Sequence, residues 1–238
     1  MTSMTAEATI EHRRKRTGSA TRIRILDAAE IEFSNNGYQS CSLRSISDSY
    51  DINLGLIHYY FGGKENLFTE VFLRRSHTLI NRRQELLNFE LAKSNNEPLD
   101  IAEIVRCYVI PTMEMMQEGE GPRAYIRLQS LLRTDTSSFA RKLRDEAFSP
   151  TNRIFIRELQ RSCPHLSSTS VVWRFSAMVG AFYALISNSS RVSELSGGLA
   201  DSDDVEALFT EVIPFIAGGF SAGPPNPAQV AKLPKASA

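Results

Sequence analysis

Residues 42–64 gather the densest set of side chains able to make directional polar contacts. Ser42, Arg44, Asn53, His58, Tyr59, Tyr60 and Lys64 bring hydroxyl, guanidinium, carboxamide, imidazole, phenol and ammonium groups into one short stretch. No catalytic or metal-binding spacing links them. The chain is read as lacking G-x-G-x-x-G, G-x-x-x-x-G-K-[ST], G-x-S-x-G and H-E-x-x-H motifs, and His12, His58, His77 and His165 have no carboxylate or cysteine partner at ligand spacing. Cys41, Cys107 and Cys163 are odd in number and far apart, which suggests neither a disulfide framework nor a zinc site. No catalytic residue, metal or cofactor is therefore expected. Donors of these types suit another task, bonding to phosphate oxygens and base edges.

Such groups must be carried by elements that aim them. Leu26, Ala29 and Phe33 recur at helical spacing and Asn35-Asn36-Gly37 stops the run. Ser42 precedes Leu43, Ile46 and Tyr50 as an N-cap would, residues 51–53 break the pattern, and 54–61 form a third short helix ended by Gly62-Gly63. A fourth helix starts at Lys64. Leu43, Ile46, Ile52, Ile57 and Phe61 point inward, which leaves Arg44, Asn53, Leu54, His58, Tyr59 and Tyr60 outward. Gly55 has no side chain to keep a ligand's surface at a distance. A supporting helix, a tight turn and a second helix with an exposed polar face make a helix-turn-helix over 42–61.

Helical periodicity continues over 100–118, where Pro111 should kink the helix, and then over 122–134, 137–162, 168–189 and 203–217. No alternating pattern suggests a sheet. The fold class is all-α, with a three-helix N-terminal helix-turn-helix followed by a larger helical region. Residues 1–19 read as a flexible basic arm, 20–66 as the DNA-binding domain, 67–220 as a larger helical domain, and 221–238, rich in Pro, Ala and Ser, as a disordered tail.

Lys plus Arg and Asp plus Glu both number 27, so net charge is zero, yet residues 12–24 carry only basic charge. A local basic patch suffices for DNA contact on a neutral molecule. There is no apolar leader at the N-terminus and no run of eighteen apolar residues, so a cytoplasmic protein without a membrane span is expected.

Over 25–68, ILDAAEIEFSNNGYQSCSLRSISDSYDINLGLIHYYFGGKENLF, the chain resembles the tetracycline-repressor-like (TetR-like) regulators. Their usual marks are an IL-x-AA-x-x-x-F opening, a G-[YF] break and a closing Y-x-H-F-x-x-K-E. Here His58, Tyr60, Ser47 and Asp51 stand where Tyr, His, Ala and Gly are common. The resemblance implies that Arg44, Leu54, Gly55, Leu56 and Tyr59 face the major groove, while Ser42, His58, Tyr60 and Lys64 hold phosphates. It also implies a homodimer on an inverted-repeat operator, with the contact on the last two long helices. Apolar stripes agree: Val172, Phe175, Val179, Phe182 and Ile186 on one, Leu208, Val212 and Phe215 on the other. A small, largely apolar effector is expected too, in a pocket lined by Met113, Met116, Tyr125, Trp173, Met178 and Phe182. The competing reading is a helical bundle that never touches DNA. Salt-dependent DNA binding separates the two.

Overall fold

A computed structural model describes residues 3–187, 190–200 and 204–224, excepting the side chains of residues 3–17 and of Val205. The helices are α1 (Ser3–Ser40), α2 (Leu43–Ser49), α3 (Leu54–Phe61), α4 (Lys64–Lys93), α5 (Ile101–Gln117), α6 (Glu120–Thr134), α7 (Ser138–Ser162), α8 (Ser168–Ser187), α9 (Ser190–Ser196), α10 (Val205–Ala207) and α11 (Ile213–Ser221). A π-helical turn, Leu208–Val212, joins the last two. No strand occurs among the described residues, so the all-α expectation holds.

Two local readings need revision. The arm expected to be flexible over 1–19 is helical from Ser3 and continuous with α1, since the segment lacks proline and is rich in good helix formers. Gly37, at φ 73° and ψ 164°, is the stop read from sequence, and one short turn follows it. α5 covers the span expected over 100–118 and carries Pro111 inside it, where the proline removes the amide that would bond to the Cys107 carbonyl. The short helix α9 carries too little periodicity to be seen in the sequence. The tail expected over 221–238 lies, from residue 225, outside the described residues.

Packing divides the chain into two units, and the division is not the expected one at residue 66. The first unit comprises residues 1–79 with 114–147, and the second 80–113 with 148–238. In the first, α6 packs along α1. Aromatic rings fill the core: Phe33 and Tyr38 of α1 meet Phe68 of α4 with centroids 5.0 and 4.9 Å away, Phe72 meets Tyr125 of α6 at 5.4 Å, and Phe139 of α7 meets Tyr38 at 5.2 Å. At the same level Glu30 is fully buried. Arg75 Nε bonds to its Oε1 at 3.0 Å, and Arg74 Nη2 to its Oε2 at 3.0 Å. A side chain at Gly121, in the first turn of α6, would put its Cβ 2.9 Å from both Arg75 Nη2 and Glu30 Oε2. A larger residue there would force the Glu30–Arg75 pair to shift.

In the second unit the core centres on Tyr108, whose ring lies 5.1 Å from that of Phe155 and 5.4 Å from that of Phe175. Arg83 is buried against its face, with the guanidinium carbon 3.6 Å from the ring centroid. Its Nε donates to the Tyr108 carbonyl at 2.8 Å, and its Nη2 to Thr112 and Tyr183 hydroxyls at 3.0 and 3.2 Å. α8 packs on α11, where Arg174 Nη1 donates to the Gly219, Phe220 and Ala222 carbonyls at 2.8, 3.1 and 2.7 Å, capping α11. With 20 residues and a mean hydropathy of 1.4, α8 is long and apolar enough to cross a membrane. Its apolar side, Val171, Phe175, Met178, Phe182 and Tyr183, is buried in the second unit's own core. That is the behaviour of a core helix.

Candidate nucleic-acid interface

α2 starts where a hydroxyl can replace a missing backbone partner. Ser42 Oγ accepts from the Ser45 amide at 2.9 Å and Ser45 Oγ accepts from the Ser42 amide at 3.0 Å, a reciprocal capping box. α3 is capped by Asn53, whose Oδ1 accepts from the Gly55 amide at 2.7 Å, and it ends at Gly62, φ 71°. Ile46, Ile52, Ile57 and Phe61 are buried, as expected. Leu43 is only half-buried.

The turn between the helices tolerates both of its unusual residues. Asp51 takes the left-handed conformation, φ 49°, at the place where glycine is common. Arg24 of α1 then donates to the Tyr50 and Asp51 carbonyls at 2.9 and 3.2 Å, and Ser47 Oγ donates to the Ile52 carbonyl at 2.7 Å. These bonds fix the angle between α2 and α3. Ser47 stands out in sequence only as a departure from the family pattern, and Arg24 reads there as one more charge of a basic run; only its closeness in space to the turn reveals the clamp.

Of the expected DNA-facing residues, Arg44 and Tyr59 are wide open, with the Arg44 side chain 83% and Tyr59 79% exposed. Leu56, Gly55 and His58 are exposed and Leu54 is half-buried. The remaining residues are partly committed. His58 Nδ1 lies 3.2 Å from the Gly62 carbonyl, which leaves Nε2 outward. Lys64 Nζ donates to the Gln39 carbonyl at 3.3 Å and sits 4.5 Å above the Tyr38 ring, with two of its protons left over. Tyr60 is half-buried and T-stacked on Tyr59 at 5.1 Å. Its hydroxyl would be 3.2 Å from a Cβ at Gly18, so this phenol serves α1 packing as well as any outward contact.

The expected pocket residues are divided between the two packing units. Met113, Trp173, Met178 and Phe182 belong to the second unit, and Met116 and Tyr125 to the first. Trp173 is 74% exposed, which corrects its placement as a lining residue. Tyr125 is buried in the first unit and bonded to Ser76 at 2.9 Å and to Gln129 at 3.1 Å. The expected dimer stripe needs a similar correction. Phe175, Val179, Phe182 and Ile186 are buried within the chain, because 3.6-residue periodicity marks the side facing the chain's own core. Leu208 and Val212 are half-buried. The open apolar surface comprises Val172, Trp173 and Phe215, the last 75% exposed. Beside them Ala177, Met178, Ala181, Phe215, Gly218 and Gly219 line a groove of about 520 Å³ between α8 and α11.

Chemistry of other kinds finds little support. All three cysteines are free and buried, and burial pushes each thiol up, that of Cys107 to about 12. Cys41 is thus a packed thiol rather than a reactive one. Residues 219–223, Gly-Phe-Ser-Ala-Gly, do fit a G-x-S-x-G pattern. Ser221 there closes a helix and donates to the Ala217 carbonyl at 3.0 Å, with none of the strand-to-helix geometry a nucleophile elbow requires. No group of three or more metal-ligating side chains occurs among the described residues.

Comparison with known proteins agrees with this geometry. Residues 25–71 match the family described as bacterial regulatory proteins, tetR family, and residues 106–219 match a tetracyclin repressor-like C-terminal domain. The transcriptional regulator UidR of Escherichia coli K12 is 30% identical over 106 residues, 44% of this chain and 48% of UidR. The chain thus aligns with about half the length of the curated relatives it matches. Among solved structures, the fatty acid degradation regulator FadR of Bacillus halodurans has a TM-score of 0.58 at 16% identity, covering 84% of this chain and 95% of its own. Salmonella enterica GusR has a TM-score of 0.54 at 17% identity, covering 85% and 96%. These likenesses carry the fold.

Proposed function

The chain belongs to the tetR family of bacterial regulatory proteins, and on that premise we propose that it is a sequence-specific DNA-binding repressor, a cytoplasmic homodimer released from its operator by a small, largely apolar effector. The observation that carries the reading is the exposed face of the 42–61 unit. It holds Arg44, Leu56 and Tyr59 outward on two capped helices whose mutual angle is fixed by Arg24 and Ser47. Arg44 suits guanine, and Leu56 or the Tyr59 ring suits a thymine methyl group. Ser42, His58 and Lys64 hold register on phosphates.

Dimerisation is supported by the open surface of α8 and α11 rather than by their buried stripes. Trp173 and Phe215 are large, apolar and exposed, and the groove next to them is floored by small residues that let a second helix pair approach. Effector binding is supported by one unfinished polar chain in the first unit. Gln129 Nε2 donates to the Tyr125 hydroxyl, which must then donate to Ser76 Oγ, because that oxygen's own proton goes to the Phe72 carbonyl. Gln129 Oε1 is left as a buried acceptor without a partner among the described residues. A polar group of this kind orients a mostly apolar ligand.

Each part of the proposal has its own test. Selection of bound duplexes at one fixed salt concentration should enrich an inverted repeat with wild type, and Arg44→Ala should lose about 1–3 kcal/mol on it while relaxing one base pair per half-site. Enrichment of no palindrome contradicts specific regulation, and an unchanged Arg44→Ala preference removes that residue as a reader. In sedimentation at micromolar concentration wild type should be a dimer and Phe215→Glu a folded monomer; a monomeric wild type, or an unaffected dimer in the variant, contradicts the interface. Thermal-shift screening of hydrophobic metabolites should find compounds that raise Tm and also release operator. Compounds that stabilise without release would show that binding is not coupled to DNA.

A further inference from the structure

The arginine that the DNA reading places against base edges faces an acid. Arg44 Nε and Asp48 Oδ2 are 3.8 Å apart, one helical turn along α2, and both side chains are open to solvent, 83% and 71% exposed. Such a pair on a helix surface is usually a minor stabilising contact. Stability does not account for this one. Arg44 is the second residue of the seven-residue α2 and Asp48 the sixth. The cation thus sits at the positive end of the helix dipole and the anion at the negative end, each the unfavourable choice. The order is also the weaker of the two i,i+4 arrangements, in which the acid does better on the N-terminal side. An acid on a DNA-facing surface carries a further cost, because a unit charge about 4 Å from a phosphate in water shifts an equilibrium by roughly fivefold.

We propose that Asp48 is a specificity-determining positioning residue. Asp48 lies nearest the Nε of Arg44, so its charge favours the guanidinium presenting Nη1 and Nη2, the edge able to bond guanine O6 and N7, to the DNA. It also makes the alternative, Arg44 swinging onto a neighbouring phosphate, less favourable, since that would leave the carboxylate facing a second negative charge. The arginine is thereby reserved for sequence. His58 and Lys64, already partly committed to the Gly62 and Gln39 carbonyls, remain to hold phosphates. Two other acids are close to this surface: Asp51, exposed in the turn, where only its backbone carbonyl receives Arg24, and Glu65, in the first turn of α4. This inference rests on the DNA-binding reading above.

The test is a double-mutant cycle with Asp48→Asn, which keeps the shape and removes the charge. Wild type, Asp48→Asn, Arg44→Ala and the double variant are compared at one salt concentration for affinity to the selected duplex, affinity to a random duplex, and base preference. Asp48→Asn should bind random duplex about three- to fivefold more tightly, gain little or nothing on the selected duplex, and relax the preference at the base pair that Arg44 reads. In the Arg44→Ala background Asp48→Asn should change that preference no further. Its melting temperature should match wild type or rise slightly, which shows that the DNA effects are not losses of folding. Equal tightening on both duplexes with preference intact would overturn the proposal and make Asp48 a plain repulsive charge. Loss of preference for a different base pair, persisting without Arg44, would overturn it too and make Asp48 a reader in its own right. Unchanged affinities and preference would reduce the pair to a solvated contact. If wild type itself prefers no duplex, the DNA-binding reading fails first, and is seen to fail separately.

Discussion

The arrangement of the N-terminal unit depends on one buried carboxylate. Glu30 lies in the middle of α1 with no solvent to stabilise its charge, and such a group is tolerated only when paired and hydrogen-bonded. Two consecutive arginines of α4 meet that requirement, and the first turn of α6 closes over the cluster at a glycine. Three helices far apart in sequence are thus brought to one point. The same stretch of α1 then sends Arg24 to the turn of the DNA-facing unit, and Arg22 to Glu70 of α4 and to the face of the Phe61 ring. The orientation of α3 therefore follows from how α1 is held against α4 and α6.

This gives the proposed regulation a physical path within a single unit. Gln129 and Tyr125 lie on α6, the helix whose first turn covers Glu30. Under the effector reading, a ligand bonded to Gln129 acts on a helix packed directly along α1, and whatever it contributes to one arrangement over another appears as a change in DNA affinity of the same size. Buried ion clusters suit such a role, because they are well satisfied in one geometry and poorly satisfied in displaced ones.

Much of the DNA-facing unit was legible in the sequence because its signals are local. Ser42 and Asn53 as caps or boundaries, Gly37 and Gly62 as stops, and the bounds of α3 all depend on residues within a turn of one another. The unit boundary was not legible, since α6 joins α1 through Gly121, Glu30 and Arg75, and no local pattern records that meeting. Nor was the outer face of α8. Periodicity identified Phe175, Val179, Phe182 and Ile186 as one apolar stripe but could not say whether the stripe faced a partner or the chain's own core, and they are core. Trp173 and Phe215 break the buried pattern, and that break is the signal that marks the free surface. The basic run was read as a flexible arm because charge suggests solvation, although arginine and glutamate are also good helix formers.

The central claim is that a chain of zero net charge binds duplex DNA through a small set of placed cations and donors. The most direct measurement is the affinity for duplex DNA as a function of salt concentration. A two-fold protein placing Lys64 on phosphate twice should show log K falling linearly with log salt concentration, with a slope of about −2 or steeper. A slope near zero, or no binding at low salt, would contradict the account.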